Sequence, residues 1–205
     1  GGVTIKRQLS RETAQQLKSM MLEYDNAGSD ALDGLYLEQE SRRYYPMGEF
    51  AAQLLGITTI DGVGQAGLEQ SLNDYLSGRA GRVLEQIDGK GREVSGGASE
   101  YVPAVDGGSV VLTIDASIQA FAERAAREAM AVNNAKSVRV LVMQPQTGEI
   151  LALVCKPDYD LNDPPRDDVE TLTERMRNTV VADAYEPGST FKILTAAAAL
   201  DAGVT

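Results

Sequence analysis

The 205-residue sequence carries 30 Asp plus Glu against 19 Lys plus Arg, a formal net charge of −11, with no histidine and a single cysteine. Such an acidic chain repels phosphate backbones, so no nucleic-acid partner is expected. The missing histidine excludes a Ser-His-Asp or Cys-His catalytic unit and any His-containing zinc site within this chain, while Cys155 alone makes neither an intrachain disulfide nor a Cys-only metal centre. Any chemistry here uses hydroxyls, lysines, carboxylates or backbone, and no cofactor or metal is expected.

Ser10 to Tyr24 reads as an amphipathic helix, with Ser10 as N-cap, Glu12 in the first turn and Leu17, Met20 and Met21 at helical spacing. Asn26 to Asp33 is a Gly/Ser/Asp loop. Leu35 to Tyr45 has strand-like composition and is stopped by Pro46. Phe50 to Leu55 forms a short helix closed by Gly56, and Leu68 to Leu76 a second helix stopped by Gly78. Val83 to Ile87 and Arg92 to Val94 flank Asp88-Gly89-Lys90-Gly91 as a hairpin. Tyr36, Tyr44 and Tyr45 are expected to pack inside this first half.

Ser95 to Gly108 is Gly-, Ser-, Pro- and Ala-rich without periodicity, which places a domain boundary at about residue 105 and divides the chain into 1–105 and 106–205. Beyond it, Val110 to Ile114 reads as a β-branched strand. Asp115 or Ser117 caps a helix that runs to about Val132. Val138 to Met143 and Ile150 to Val154 are two apolar strands joined by Pro145-Gln146-Thr147-Gly148. Pro157 to Gly188 is a long acidic stretch holding one helix near Glu170 to Arg177. Its carboxylates (Asp158, Asp160, Asp163, Asp167, Asp168 and Glu170) lack calcium-loop spacing and read as a solvated loop. Cys155 ends an apolar strand as a small buried hydrophobe. The last element is a helix from about Ser189 to Ala202, ended by Gly203 and apolar nearly all round, as in a buried helix. No apolar run reaches the roughly 20 residues that span a bilayer, and no secretory leader is visible. The opening Gly1-Gly2 leaves room for an upstream segment.

One constellation carries chemistry. Ser189-Thr190-Phe191-Lys192 is an S-x-x-K sequence at the start of the last helix, and residues three apart share one helical face. A serine hydroxyl needs a base to become a nucleophile, and without histidine a neutral lysine is the strongest candidate. The positive end of the helix dipole favours negative charge developing on the serine oxygen. On these four residues alone, an N-cap serine followed by a solvated lysine is the better reading; the apolar helix that follows, opened by a lysine at the unfavourable end of its dipole, brings the two readings level.

The longer stretch Glu186-Pro187-Gly188-Ser189-Thr190-Phe191-Lys192 resembles the nucleophile motif of the class B penicillin-binding proteins, the peptidoglycan D,D-transpeptidases. Further matches follow in family order. Arg43-Tyr44-Tyr45-Pro46 and Ala51 to Gly56 resemble R-x-Y-P and A-x-x-x-x-G. Gly67-Leu68-Glu69 resembles G-[IL]-E, and Leu76 to Gly81 resembles L-x-G-x-x-G. Val111 to Asp115 with Gln119, Thr147 to Ala152, and Arg177-Asn178 continue the series. The details look closest to the Gram-positive division and sporulation branch, of the stage V sporulation protein D type.

The resemblance implies an α+β pedestal, non-catalytic and dimerisation-like, over residues 1–105, followed at 106–205 by the N-terminal part of an α/β penicillin-binding transpeptidase domain of serine β-lactamase-like fold. It implies catalytic residues Ser189 as nucleophile and Lys192 as general base, with the Ser189 N–H as half of an oxyanion hole. Implied partners are peptidoglycan stem peptides ending in D-Ala-D-Ala, β-lactam antibiotics, and a membrane glycan polymerase of the SEDS type. The implied location is the extracytoplasmic face of the cell membrane, through an N-terminal anchor absent from this chain. The family's S-x-N and K-[ST]-G motifs do not follow Lys192. Ser71-Leu72-Asn73 matches S-x-N only in letters, because it precedes the nucleophile. The chain alone is therefore expected to be inactive. A pedestal that serves only for docking and a β-lactam sensor or β-lactamase remain the rival readings.

Overall fold

Residues 2–85 and 99–204 are described by the computed structural model. The turn expected at Asp88-Gly89-Lys90-Gly91 and the strand expected at Arg92 to Val94 lie outside the described residues. In chain order the elements begin with helix α1 (Arg11–Asn26), a 3₁₀ turn (Asp30–Leu32), and short helices α2 (Ala52–Leu55), α3 (Gly67–Ser71) and α4 (Asn73–Leu76). Strands β1 (Arg82–Glu85) and β2 (Ser99–Val102), helix α5 (Ala116–Asn133), and strands β3 (Val138–Met143) and β4 (Ile150–Lys156) follow. The chain ends with helices α6 (Val169–Met176) and α7 (Thr179–Ala182), a 3₁₀ turn (Gly188–Phe191) and helix α8 (Lys192–Asp201). These form two compact units, Gly1–Thr113 with Asp158–Met176, and Ile114–Pro157 with Arg177–Thr205.

In the first unit, α1 starts where the sequence places it, since the Ser10 hydroxyl accepts from the Thr13 N–H at 3.1 Å. The core gathers Tyr45, Ala52 and Ile57 with Tyr159, Leu161 and Leu172, so the segment after residue 157 supplies half of it. Asp168 caps α6 through Thr171, whose N–H and hydroxyl both bond its carboxylate, and these bonds hold the Asp168 pKa below the ordinary range. The ordered motifs of this half meet at one ion pair. Glu69 is buried and takes two bonds from the Arg43 guanidinium, at 2.6 and 3.1 Å, while the Tyr45 hydroxyl lies 3.4 Å from the same carboxylate.

Several expectations need correction here. Leu35 to Tyr45 is not a strand. Its last residue is held by a side chain instead of a neighbouring strand, with Tyr45 N–H donating to Asn162 Oδ1 at 2.9 Å and Asn162 Nδ2 donating to Tyr45 O at 2.7 Å. Of the three tyrosines expected inside, only Tyr45 is buried; Tyr36 and Tyr44 are exposed. The helix expected over Leu68 to Leu76 is broken at Leu72, whose φ of −114° and ψ of 20° leave helical geometry. The helix expected from Phe50 begins only at Ala52, because Ala51 sits in the left-handed region. The irregular stretch from Ser95 to Gly108 contains β2, paired antiparallel to β1 with Val83 opposite Tyr101, and a bridge between Arg79 and Val105. Val110 to Ile114 forms no strand among the described residues, and Val111 is 96% exposed. Strand preference describes fit to a half-buried pleated surface, and that surface is not present around Val111.

Burial pushes the Tyr45 and Tyr159 phenols up to about 12, with the Glu69 carboxylate adding to the effect on Tyr45. A raised folded-state pKa means that unfolded tyrosine loses its proton first. Their contribution to stability is therefore intact below pH 10 and is lost as pH rises from about 10 to 12, by up to about 5 kcal/mol for the two together. Denaturant titrations at intervals from pH 9 to 12 should show this fall. Tyr159→Phe should flatten it by about half, and should be tolerated at pH 7 because the buried Tyr159 hydroxyl has no hydrogen-bond partner among the described residues. Equal slopes in the two proteins would refute this assignment.

The second unit follows its sequence closely. Asp115 caps α5, accepting from the Ser117 and Ile118 N–H groups at 2.9 Å each. β3 and β4 pair antiparallel, with Val140 opposite Val154 and an irregularity between Val142 and Met143. The turn between them closes with Gln144 N–H to Glu149 O at 2.9 Å, and Gly148 takes φ 77°. Ala122 and Ala126 of α5 pack on Ala152 and Val154, flanked by Ile118, Val138, Val140 and Val142. Gln119 is fully buried and acts as a substitute strand neighbour. Its Oε1 accepts from the Leu153 N–H at 2.8 Å and its Nε2 donates to the Leu153 carbonyl at 2.9 Å.

Candidate active site

The S-x-x-K residues lie in the second unit, at the junction of the last 3₁₀ turn and α8. Gly188 enters with φ 51°, a left-handed conformation that suits glycine, directly after Pro187. The Thr190 N–H donates to the Pro187 carbonyl at 3.0 Å, and the Thr190 hydroxyl donates to the same oxygen. The Lys192 N–H donates to the Ser189 carbonyl. Residues i and i+3 eclipse in a 3₁₀ turn, so this tight first turn stacks position 192 on position 189 more directly than an α-helix does. The sequence leads to an α-helix from Ser189; the structure makes its first turn 3₁₀ and starts α8 at Lys192. α8 ends as expected. Gly203 takes φ 67° and the Val204 N–H returns to the Ala199 carbonyl at 2.9 Å, a Schellman-type stop.

Ser189 and Lys192 are exposed, as are Phe191, Ile193, Leu194 and Leu200. The final helix reads as one made to be buried, and its apolar faces, expected to be exposed where the rest of the domain's sheet is absent, are uncovered among the described residues, with Ile193 73% exposed.

The chain leading into this turn is fixed to the β3–β4 sheet. Asn178, just before α7, lies with its Oδ1 3.6 Å from the Sγ of buried Cys155 on β4. Asp183, just after α7, pairs through Oδ2 with the Arg139 guanidinium on β3. Its Oδ1 lies 2.7 Å from Arg177 Nη2, an ion-pair contact without hydrogen-bond alignment. Arg139 and Asp183 belong to no motif in the sequence. The available signals were a lone arginine inside an apolar strand and one carboxylate in a stretch read as solvated loop.

Ser71 and Asn73 have local work in the other unit. Ser71 Oγ donates to the Gly67 carbonyl at 2.9 Å, and Asn73 Oδ1 accepts from the Gly64 N–H at 2.8 Å. Among the described residues, no group of three or more His, Cys, Asp or Glu side chains is placed to hold a metal ion.

Residues 2–112 match the penicillin-binding protein dimerisation domain, and residues 138–205 match the penicillin binding protein transpeptidase domain. The probable peptidoglycan D,D-transpeptidase PenA of Neisseria gonorrhoeae is 39% identical over 204 residues, covering 99% of this chain and 33% of that protein. Stage V sporulation protein D of Bacillus subtilis is 36% identical over 195 residues, covering 95% of this chain and 28% of that protein. Among solved structures, penicillin binding protein 2X from Streptococcus thermophilus superposes with a TM-score of 0.67 at 28% identity, over 96% of this chain and 29% of that one. The chain spans about a third of the length of the curated relatives it matches.

Proposed function

Because the chain belongs to the class B penicillin-binding proteins, transpeptidases that carry a dimerisation domain, we propose that the complete protein cross-links peptidoglycan stem peptides through an acyl-Ser189 intermediate. The observation that carries this reading is Ser189 and Lys192 on one tight turn at the head of α8, inside the region matched to the transpeptidase domain. Ser189 Oγ attacks the carbonyl carbon between the two terminal D-alanines while the Lys192 amine accepts the hydroxyl proton. The peptide C–N bond breaks, Lys192 returns the proton to the leaving nitrogen, and D-alanine departs. An amine on a neighbouring stem then attacks the Ser189 ester. Its proton passes through Lys192 back to Ser189 Oγ, and a new peptide bond remains. The Ser189 N–H supplies one oxyanion donor. A β-lactam enters the first step in place of the D-Ala-D-Ala end, and its ring opens on Ser189.

We assign residues 1–105 to the pedestal and 106–205 to the transpeptidase portion. The match of residues 2–112 to the dimerisation domain supports the first assignment. We place action on stem peptides at the extracytoplasmic face of the membrane, through an N-terminal anchor; no helix among the described residues is long and apolar enough to cross a membrane. A membrane glycan polymerase of the SEDS type is the partner proposed for the pedestal. Within the family, a division or sporulation role of the stage V sporulation protein D type is our reading; the 36% identity to that protein and the 39% identity to PenA both support the broader transpeptidase assignment.

The test is intact mass before and after incubation with a penicillin. A protein carrying the complete transpeptidase domain should gain one penicillin, mapped to the peptide that contains Ser189. The 205-residue chain, which has neither S-x-N nor K-[ST]-G after Lys192, should gain none. No adduct on the complete domain, or an adduct elsewhere, would overturn the reading.

A further inference from the structure

Resting on the transpeptidase reading, we infer that Asp183, gripped by Arg139 and Arg177, is a positioning residue that sets where Ser189 stands relative to the β3–β4 sheet. Residues 183–187 have neither helix nor strand structure to hold them. Only five residues separate Asp183 from Ser189, and they include Pro187 and the left-handed Gly188. Whatever fixes Asp183 therefore fixes the entry to the nucleophile turn.

The grip has two ends. Arg139 is a sheet residue, opposite Cys155 in the β3–β4 register, so its guanidinium carries the position of the sheet to Oδ2 of Asp183. Arg177 reaches Oδ1 from the other side of α7, and its Nη2 also lies 3.5 Å from the Ala182 carbonyl. The four-residue α7 is thus closed by a link across its own ends. Asn178 adds a second tie to the sheet through Cys155. Asp183 is the more buried partner, with its side chain 19% exposed against 36% for Arg139 and 57% for Arg177. A carboxylate that has given up most of its water between two guanidiniums is held in one place more firmly than an exposed ion pair is.

Placement of this kind acts on rate, because displacing a nucleophile by about 1 Å can cost on the order of 100-fold. The test uses protein carrying the complete transpeptidase domain and measures the rate constant of penicillin acylation, the melting temperature, and amide exchange in the peptide spanning 183–191. Asp183→Asn keeps the shape and removes the charge; it should slow acylation by about tenfold or more, raise exchange in that peptide, and leave melting nearly unchanged. Arg139→Gln should do the same from the sheet side and provides the test if Asp183→Asn does not fold. Asp183→Glu should recover part of the rate. A purely structural ion pair would lower the melting temperature and leave the rate of the folded protein unchanged, and that result would overturn the proposal. If the unsubstituted protein is not acylated at all, the transpeptidase reading falls, and exchange in the 183–191 peptide alone decides whether the grip exists.

Discussion

Lys192→Met in a protein with the complete transpeptidase domain should acylate with penicillin about 10²- to 10⁴-fold more slowly while melting at nearly the same temperature. The factor is the usual contribution of a positioned general base. The small change in stability follows from the near-equal length of the two side chains, so the replacement opens no sizeable cavity; among the described residues Lys192 is exposed. Methionine keeps the length of the side chain and removes the amine, so a loss of rate reports proton transfer and not packing. Ser189→Ala is the companion measurement and should abolish the covalent adduct. The two variants separate the roles. Without the nucleophile no adduct forms at any time, whereas without the base the adduct forms slowly at the same serine. Acylation of Lys192→Met within tenfold of the unsubstituted rate would remove the lysine from the mechanism and leave the serine to be activated by another group.

Legibility in the sequence tracked how local the cause was. α1, α5, the β3–β4 hairpin and the end of α8 are set by an N-cap, an alternation or a C-terminal glycine within a few residues, and each lies where the pattern puts it. The S-x-x-K turn was equally visible, because Pro187, Gly188, Ser189 and Lys192 are contiguous. The failures involve partners far along the chain. Leu35 to Tyr45 looked like a strand because β-propensity has no way to know that Asn162 will satisfy the backbone of Tyr45. Tyr36 and Tyr44 have the same composition as Tyr45, and only the position of Glu69 and the core around Ile57 separates them. The Arg139–Asp183 pair spans 44 residues. Neither residue belongs to a motif, so only the folded sheet brings them together. In the first half, the motifs read separately as R-x-Y-P and G-[IL]-E become one object, the Arg43–Glu69–Tyr45 cluster, whose members have little meaning singly.

The glycine of A-x-x-x-x-G has a physical reason of the same kind, and Gly56→Ala should cost at least about 3 kcal/mol in denaturant unfolding. Gly56 has φ 74° and ψ −170°, a combination open essentially to glycine alone. The backbone here runs directly against the segment that begins α3. Ile57 O accepts from the Gln65 N–H at 2.7 Å and from the Ala66 N–H at 3.3 Å. A Cβ on Gly56 would fall 1.9 Å from the Ala66 carbonyl oxygen and 2.3 Å from its carbon. Both neighbours are main chain, so no side chain can swing away; two packed segments have to separate beside the fully buried Ile57. Gly62 is the control. It has φ 79°, but nothing lies within 4 Å of its would-be Cβ, so Gly62→Ala carries the backbone strain without the collision and should cost only about 1 kcal/mol. The gap between the two variants measures the close approach together with the ψ of −170° that Gly56 adds to its positive φ. Equal costs would mean that conformation alone demands glycine at position 56; a larger cost at 56, with the same m-value, would mean that the motif marks where two chain segments touch.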